Sequence, residues 1–209
     1  MRAVRGLKNF FLLLLFMLAI VPRLPALLSN SSDFLKESPR VDERFLDLRS
    51  FLFKIGDRYN LSVIVAQDVR SPLKEVKGKT IKEVLDNYLA NTKFTYRIQD
   101  NCIFVAPANR LELFFEKLPE DSTMLPKGRG DVSISGVFYG IDIAKFCKIL
   151  RNITDVEIRP VDSLKANLML RLIKMPWKKA LLAIVRLNDY RMIRSEFSVT
   201  IDKHRLEIH

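Results

Sequence analysis

Apolar residues recur along the chain at two alternating spacings, and the alternation occurs twice. After Asp47, the residues Leu48, Phe51, Leu52 and Ile55 fall at i, i+3, i+4 and i+7, one stripe of an amphipathic helix. After Asp142, Ile143, Phe146, Cys147 and Leu150 repeat that spacing. A short alternation follows each stripe: Leu61, Val63 and Val65 in the first case, Val156, Ile158 and Pro160 in the second. This is the period of a half-buried strand. A second helical stripe then appears in both segments, as Ile81, Val84, Leu85, Tyr88 and Leu89 and as Trp177, Ala180, Leu181, Ile184 and Val185. The stretch DLRSFLFKIGDRYNLSVIVAQDV lies over DIAKFCKILRNITDVEIRPVDSL without a gap, and after one inserted residue TIKEVLDNYLANTKFTY lies over PWKKALLAIVRLNDYRM. Self-similarity at this scale predicts one structural unit used twice.

The punctuation between stripes fills in the unit. Thr80 and Glu83 form a capping-box pattern at the start of the second helix. Pro176 sits at the same place in the second segment, where a missing N–H is harmless. Phe94 and Tyr190 begin terminal hairpins, expected to turn at Gln99-Asp100-Asn101 and near Asp202-Lys203-His204, the latter between strands 197–201 and 205–208. A strand is also expected ahead of each first helix, weak near 41–45 and clear over 131–138. Each segment therefore reads β-α-β-β-α-β-β. The predicted class is α+β, with two tandem small domains, each a mixed sheet packed against two helices. The expected domains are 32–108 and 131–209, each large enough to fold alone. Between them, 109–130 reads as a short helix (LELFFEKL) followed by a linker (PEDSTMLPKGRG) with prolines, glycines and mixed charge.

Residues 1–31 stand apart. Arg2, Arg5 and Lys8 precede an unbroken apolar run, FFLLLLFMLAIV, which ends at Pro22 and Arg23. A membrane span needs about 20 apolar residues. The shorter run behind a basic start predicts a secretory signal peptide, with cleavage expected after Ser31, or an uncleaved anchor if the apolar stretch continues past Pro22 to Leu28. No Cys stands directly after the run, so a lipoprotein anchor is not expected. The chain is thus expected in the periplasm, free or tethered to the inner membrane, with the membrane contacted only through this segment.

Composition limits the chemistry. The net charge is +11, and Arg2, Arg5, Lys8 and Arg23 all precede the first acid, Asp33. The remaining surplus suits an acidic partner, a membrane surface or nucleic acid and does not choose among them. Elsewhere basic residues stand beside acids, as in Lys82-Glu83 and Asp202-Lys203, the pattern of a solvated mixed-charge surface. A KH-type nucleic-acid clamp needs a G-x-x-G loop between helices, and none is present; no nucleic acid is expected. Cys102 falls in a predicted strand and Cys147 on an apolar stripe, so both read as small buried apolar groups rather than a nucleophile or a bridge. His204 and His209 are the only histidines. No H-E-x-x-H, C-x-x-C, G-x-S-x-G or Walker-type pattern occurs. Neither enzyme activity, nor a cofactor, nor a metal site is expected.

The motifs at the starts of the second helices carry a resemblance. Met175-Pro176-Trp177-Lys178-Lys179-Ala180-Leu181 is similar to the V-P-W-x-x-A-L of type IV pilus secretins. Gly78-Lys79-Thr80-Ile81-Lys82-Glu83-Val84-Leu85 resembles the G-x-T-x-x-E-A-L of the wider secretin and TonB N-terminal (STN, N0) domain family. The following Leu89-Ala90-Asn91-Thr92-Lys93-Phe94-Thr95-Tyr96 is similar to that family's L-A-G-T-G-L-x-Y, with Asn91 and Lys93 where the family has glycine. The resemblance covers both copies and implies two tandem STN-like domains without the secretin barrel. It marks Gly78, Thr80, Glu83, Leu85, Pro176, Trp177, Ala180 and Leu181 as structural motif residues. The function it implies is periplasmic protein–protein interaction and assembly beside a secretin or pilus assembly protein, either as an adaptor or as a homo-oligomeric ring. Two alternatives stand beside it: an STN-type accessory of TonB-linked transport or transmembrane signalling, and an unrelated exported α+β protein.

Overall fold

A computed structural model describes residues 33–39, 47–69 and 78–203, all within one compact unit, Ser31–His209. The expected signal segment, the strand near 41–45, His204, His209 and the strand at 205–208 lie outside the described residues. A short 3-10 turn, Asp33–Lys36, comes first. The helices are α1 (Leu48–Arg58), α2 (Ile81–Leu89), α3 (Ala108–Met124), α4 (Ile143–Thr154) and α5 (Trp177–Leu187). The strands are β1 (Ser62–Val65), β2 (Phe94–Gln99), β3 (Cys102–Pro107), β4 (Ser133–Asp142), β5 (Glu157–Pro160), β6 (Asn167–Pro176), β7 (Tyr190–Arg194) and β8 (Ser198–Lys203). The fold is α+β, with a five-stranded sheet, β2-β3-β1-β6-β4, and a three-stranded sheet, β5-β8-β7.

The repeat is visible in the local structure. Asp47 and Asp142 cap α1 and α4, their carboxylates accepting from Ser50 N at 2.7 Å and Ala144 N at 2.8 Å. Such caps satisfy amides that a helix start leaves unpaired. Both helices end at equivalent left-handed residues, Asn60 (φ 53°) and Asp155 (φ 59°), residue types that tolerate that conformation. The pairing also repeats. β1 lies parallel to β3, which forms an antiparallel hairpin with β2; β5 lies parallel to β8, which forms an antiparallel hairpin with β7. The first hairpin turns at Asp100 and Asn101, both with positive φ, as a two-residue turn requires.

The segments do not stand as separate bodies, however. β6 of the second segment pairs antiparallel with β1 of the first, through Val63↔Arg171 and Ile64↔Leu170, and carries β4 on its other side. One apolar cluster takes in Leu48 and Phe51 of α1, Leu85 of α2, Phe146 of α4 and Leu181 of α5. β1 and β3 are buried along their whole length, as in a sheet covered on both faces. The five-stranded sheet therefore crosses the boundary expected at 109–130.

Two further expectations need correcting. The helix expected over 111–118 continues through Pro119 to Met124. Tertiary contacts override the breaker: Asp121 is buried and accepts from Arg186 Nη2 at 2.7 Å and Nε at 3.0 Å, and Lys178 Nζ donates to the carbonyls of Ser122 and Leu125. The rest of the expected linker is also tied down, with Arg129 N donating to Thr154 O at 2.9 Å. The second hairpin turns at 195–197, closed by Ser195 N to Ser198 O at 2.9 Å, and Asp202 and Lys203, expected in the turn, belong to its second strand. Val199 and Ile201 face the core, and Asp202 lies within β8 paired with Arg191, so burial rather than the polar cluster sets the register.

Candidate functional site

The motif residues do structural work at two helix starts. Gly78 has φ 150°, and a Cβ there would meet the Val84 amide nitrogen at 2.7 Å, so the chain crosses the α2 terminus where only glycine fits. Thr80 Oγ1 accepts from Glu83 N at 3.2 Å, and the Glu83 carboxylate reaches back to Lys79 N at 2.7 Å. That is the expected box, displaced by one amide on its return arm. Leu85 is fully buried. Pro176 is the N-cap of α5 rather than its first residue, and Trp177 N donates to Val132 O at 3.0 Å. Trp177 is buried with its indole Nε1 donating to Gly130 O at 3.4 Å, and Ala180 and Leu181 are fully buried. Leu85, Trp177, Ala180 and Leu181 thus meet in the common core, while Gly78, Thr80, Glu83 and Pro176 shape the chain around it. Asn91 takes φ 62°, a left-handed conformation that asparagine tolerates.

The cysteines are free and buried. Burial pushes both thiols up, Cys102 beyond the range of ordinary thiols despite Lys179, and Cys147 to about 12 with Asp142 adding to the effect. Both are held protonated as apolar groups. Among the described residues, no group of three His, Cys, Asp or Glu side chains is placed to hold a metal ion, and no helix is long and apolar enough to cross a membrane.

Among the described residues two recesses stand out on the surface, and neither follows from a sequence motif. The first, of about 390 Å³, lies where the segments meet. Arg110 is its centre: Nη1 bonds to Asp68 Oδ2 at 3.2 Å and Leu187 O at 3.3 Å, and Nη2 lies 3.7 Å from Asp189. The Tyr190 hydroxyl donates to Gln67 Oε1 at 2.9 Å, and Gln67 N donates to Asn188 Oδ1 at 2.6 Å. Burial raises the Tyr190 pKa, and the nearby Arg110 partly offsets it. These groups bond across the seam and tie the segments together, while Asp68 Oδ1 is buried without a hydrogen-bond partner among the described residues.

The second recess, of about 490 Å³, lies between α4 and β5. Its floor is apolar, from Ile158, Pro160 and Leu164, and its rim carries Lys148, Arg151, Arg159 and Lys165 against Asp142 and Asp162. Arg151 is paired with Glu157 at 3.2 Å. Among the described residues Lys148, Arg159 and Lys165 have no acidic partner. Its cations come from a helix, a strand and a loop, so no periodicity in the sequence announces it.

Compared with known proteins, the chain matches no family model and no curated protein.

Proposed function

We propose that this protein is a periplasmic interaction and assembly module of a secretin-type envelope machine, of the type IV pilus or type II secretion-like kind, working through protein contacts and not through catalysis. The observation that carries the reading is the repeated unit. In both segments, a helix leads to a strand parallel to the last strand of a hairpin, and the intervening helix starts at the G-x-T or P-W motif. That combination of motif and position is the basis of the resemblance to secretin N-terminal domains. The sharper P-W form in the second segment favours the pilus branch.

The test is cross-linking of the tagged full chain in cells, followed by recovery from envelope extracts. Recovery of a secretin or pilus assembly protein is the expected result. Recovery of a TonB-linked receptor or its inner-membrane regulator instead would move the reading to transport or signalling, and recovery of neither would overturn it. Size-exclusion chromatography with light scattering distinguishes a ring from an adaptor: a defined large oligomer marks the former, a monomer the latter.

A further inference from the structure

We propose that the recess between α4 and β5 binds an extended peptide segment of the partner that carries carboxylates and small apolar side chains. This rests on the interaction-module reading and names the chemistry of the contact. The first observation is charge: Lys148, Arg159 and Lys165 surround the recess, and none has an acidic partner among the described residues. A complementary charge set steers an acidic partner and rejects basic ones. The second is the floor. Ile158 and Leu164 are buried beneath the rim, with half-buried Pro160 and Val161 beside them, so the recess offers apolar contact below and cations above.

The backbone geometry says how such a segment is held. Glu157 N donates to Phe197 O and Val161 N to Ile201 O, so alternate amides of β5 face β8. The backbone nitrogens of Ile158 and Pro160 therefore point to the outer edge, and Pro160 has no hydrogen to give. An edge blunted by proline resists strand addition. In the first segment the equivalent strand, β1, is paired on that edge by β6. The β5 edge is thus closed to a long ladder, and side-chain charge carries the binding. Phosphate polymers suit the recess less well. No aromatic side chain lines it for the base stacking that nucleic acids use.

The experiment measures fluorescence anisotropy of the full chain with a labelled short peptide alternating Glu with Leu and Val, against the same peptide with Gln for Glu. The Glu peptide is expected to bind, with affinity falling as salt rises. The triple variant K148Q/R159Q/K165Q is expected to weaken it by about tenfold, since each exposed pair adds modestly. Asp162→Asn, which removes an opposing charge, is expected to strengthen it, so the proposal remains testable even if the triple variant folds poorly. Equal binding of the Glu and Gln peptides, a triple variant that binds as wild type, or displacement by oligothymidylate or glycerol phosphate in preference to unlabelled peptide would each overturn the proposal. Recovery of a secretin equally well by wild type and triple variant would sink this site while leaving the functional reading standing. Peptide binding without any envelope partner would do the reverse.

Discussion

Gly56 lies within α1, where a glycine ordinarily costs a helix about 1 kcal/mol relative to alanine. Gly56→Ala would then be expected to stabilise an exposed helix. Here the added Cβ would stand 2.7 Å from Val63 Cγ2, 3.0 Å from Arg171 Cδ and 3.1 Å from Leu61 O. Those atoms belong to β1, to the residue just before it and to β6, and they are tied together: Leu61 N donates to Gly56 O at 2.8 Å, and Arg171 Nε donates to Leu61 O at 3.1 Å. The methyl group can be admitted only by moving β1 off α1 or Arg171 out of its place. Overpacking of this kind costs about 1–3 kcal/mol. The 2.7 Å approach to a stiff β-branched side chain puts the cost at the upper end of that range, so after the helix gain the net expectation is a loss of about 2 kcal/mol, or a fall in Tm of about 4–8 °C for a chain of this size. Differential scanning calorimetry measures the fall. A double-mutant cycle with Arg171→Ala isolates the shared clash, because removing the guanidinium stem relieves part of the crowding and the two losses should be less than additive. A Gly56→Ala variant as stable as wild type, or fully additive losses, would show that α1 and β6 do not meet as described.

Three further outcomes follow from buried groups and the basic recess. Asp121→Ala should lower the urea midpoint by the equivalent of about 2 kcal/mol at unchanged m value, because it leaves Arg186 facing a largely buried site; the cost sits below the usual range for buried pairs since Arg186 retains partial access to water. A change under about 0.5 kcal/mol would refute the pairing. Cys147, whose thiol burial pushes up to about 12, keeps its proton in the native state, while an unfolded thiol ionises near about 8.5. Its contribution is therefore whole below about pH 8.5 and is lost as pH rises toward 12, and Cys147→Ala should flatten the alkaline loss of stability by up to about 1.4 kcal/mol per pH unit. Equal slopes for the two proteins would refute that assignment. In contrast to Gly56→Ala, Arg151→Ala at the equivalent position of α4 should change stability by under about 0.5 kcal/mol in denaturant titration, since its partner Glu157 is about as exposed as itself.

What could be read in the sequence was local. The stripes of α1, α2, α4 and α5, the Thr80–Glu83 box and the turn at Asp100-Asn101 are all set within a few residues, and the structure forms each of them. The α+β class followed from their order. What could not be read was decided by contacts between residues far apart in the chain. Pro119 stops a helix in isolation, but Arg186, sixty-five positions beyond Asp121, holds that residue in helical continuation. The register of β7 and β8 follows from Val199 and Ile201 entering the core, not from the polar cluster after them. The basic recess draws Lys148, Arg159 and Lys165 from three elements. The nearest thing to a signal for the shared sheet was Gly56, a glycine inside an apolar helical stripe where its repeat partner is Arg151.

That mismatch explains how one unit serves two ends. At the first copy's edge, Gly56 removes the side chain that would stand between α1 and an incoming strand, and Val63 offers its backbone to Arg171 of β6. At the second copy's edge, Arg151 occupies the corresponding helix position and Pro160 withdraws the donor next along the strand. The first edge is built to be covered from within the chain and the second to stay uncovered by a ladder, although the strands behind them pair alike. Sequence divergence between repeats at edge positions, with the apolar stripes retained, is what this division requires. The first copy supplies the frame on which β6 and β4 are laid. The second copy keeps a polar rim over an apolar floor, the surface proposed above for the partner's peptide and one that no strand of the described residues covers.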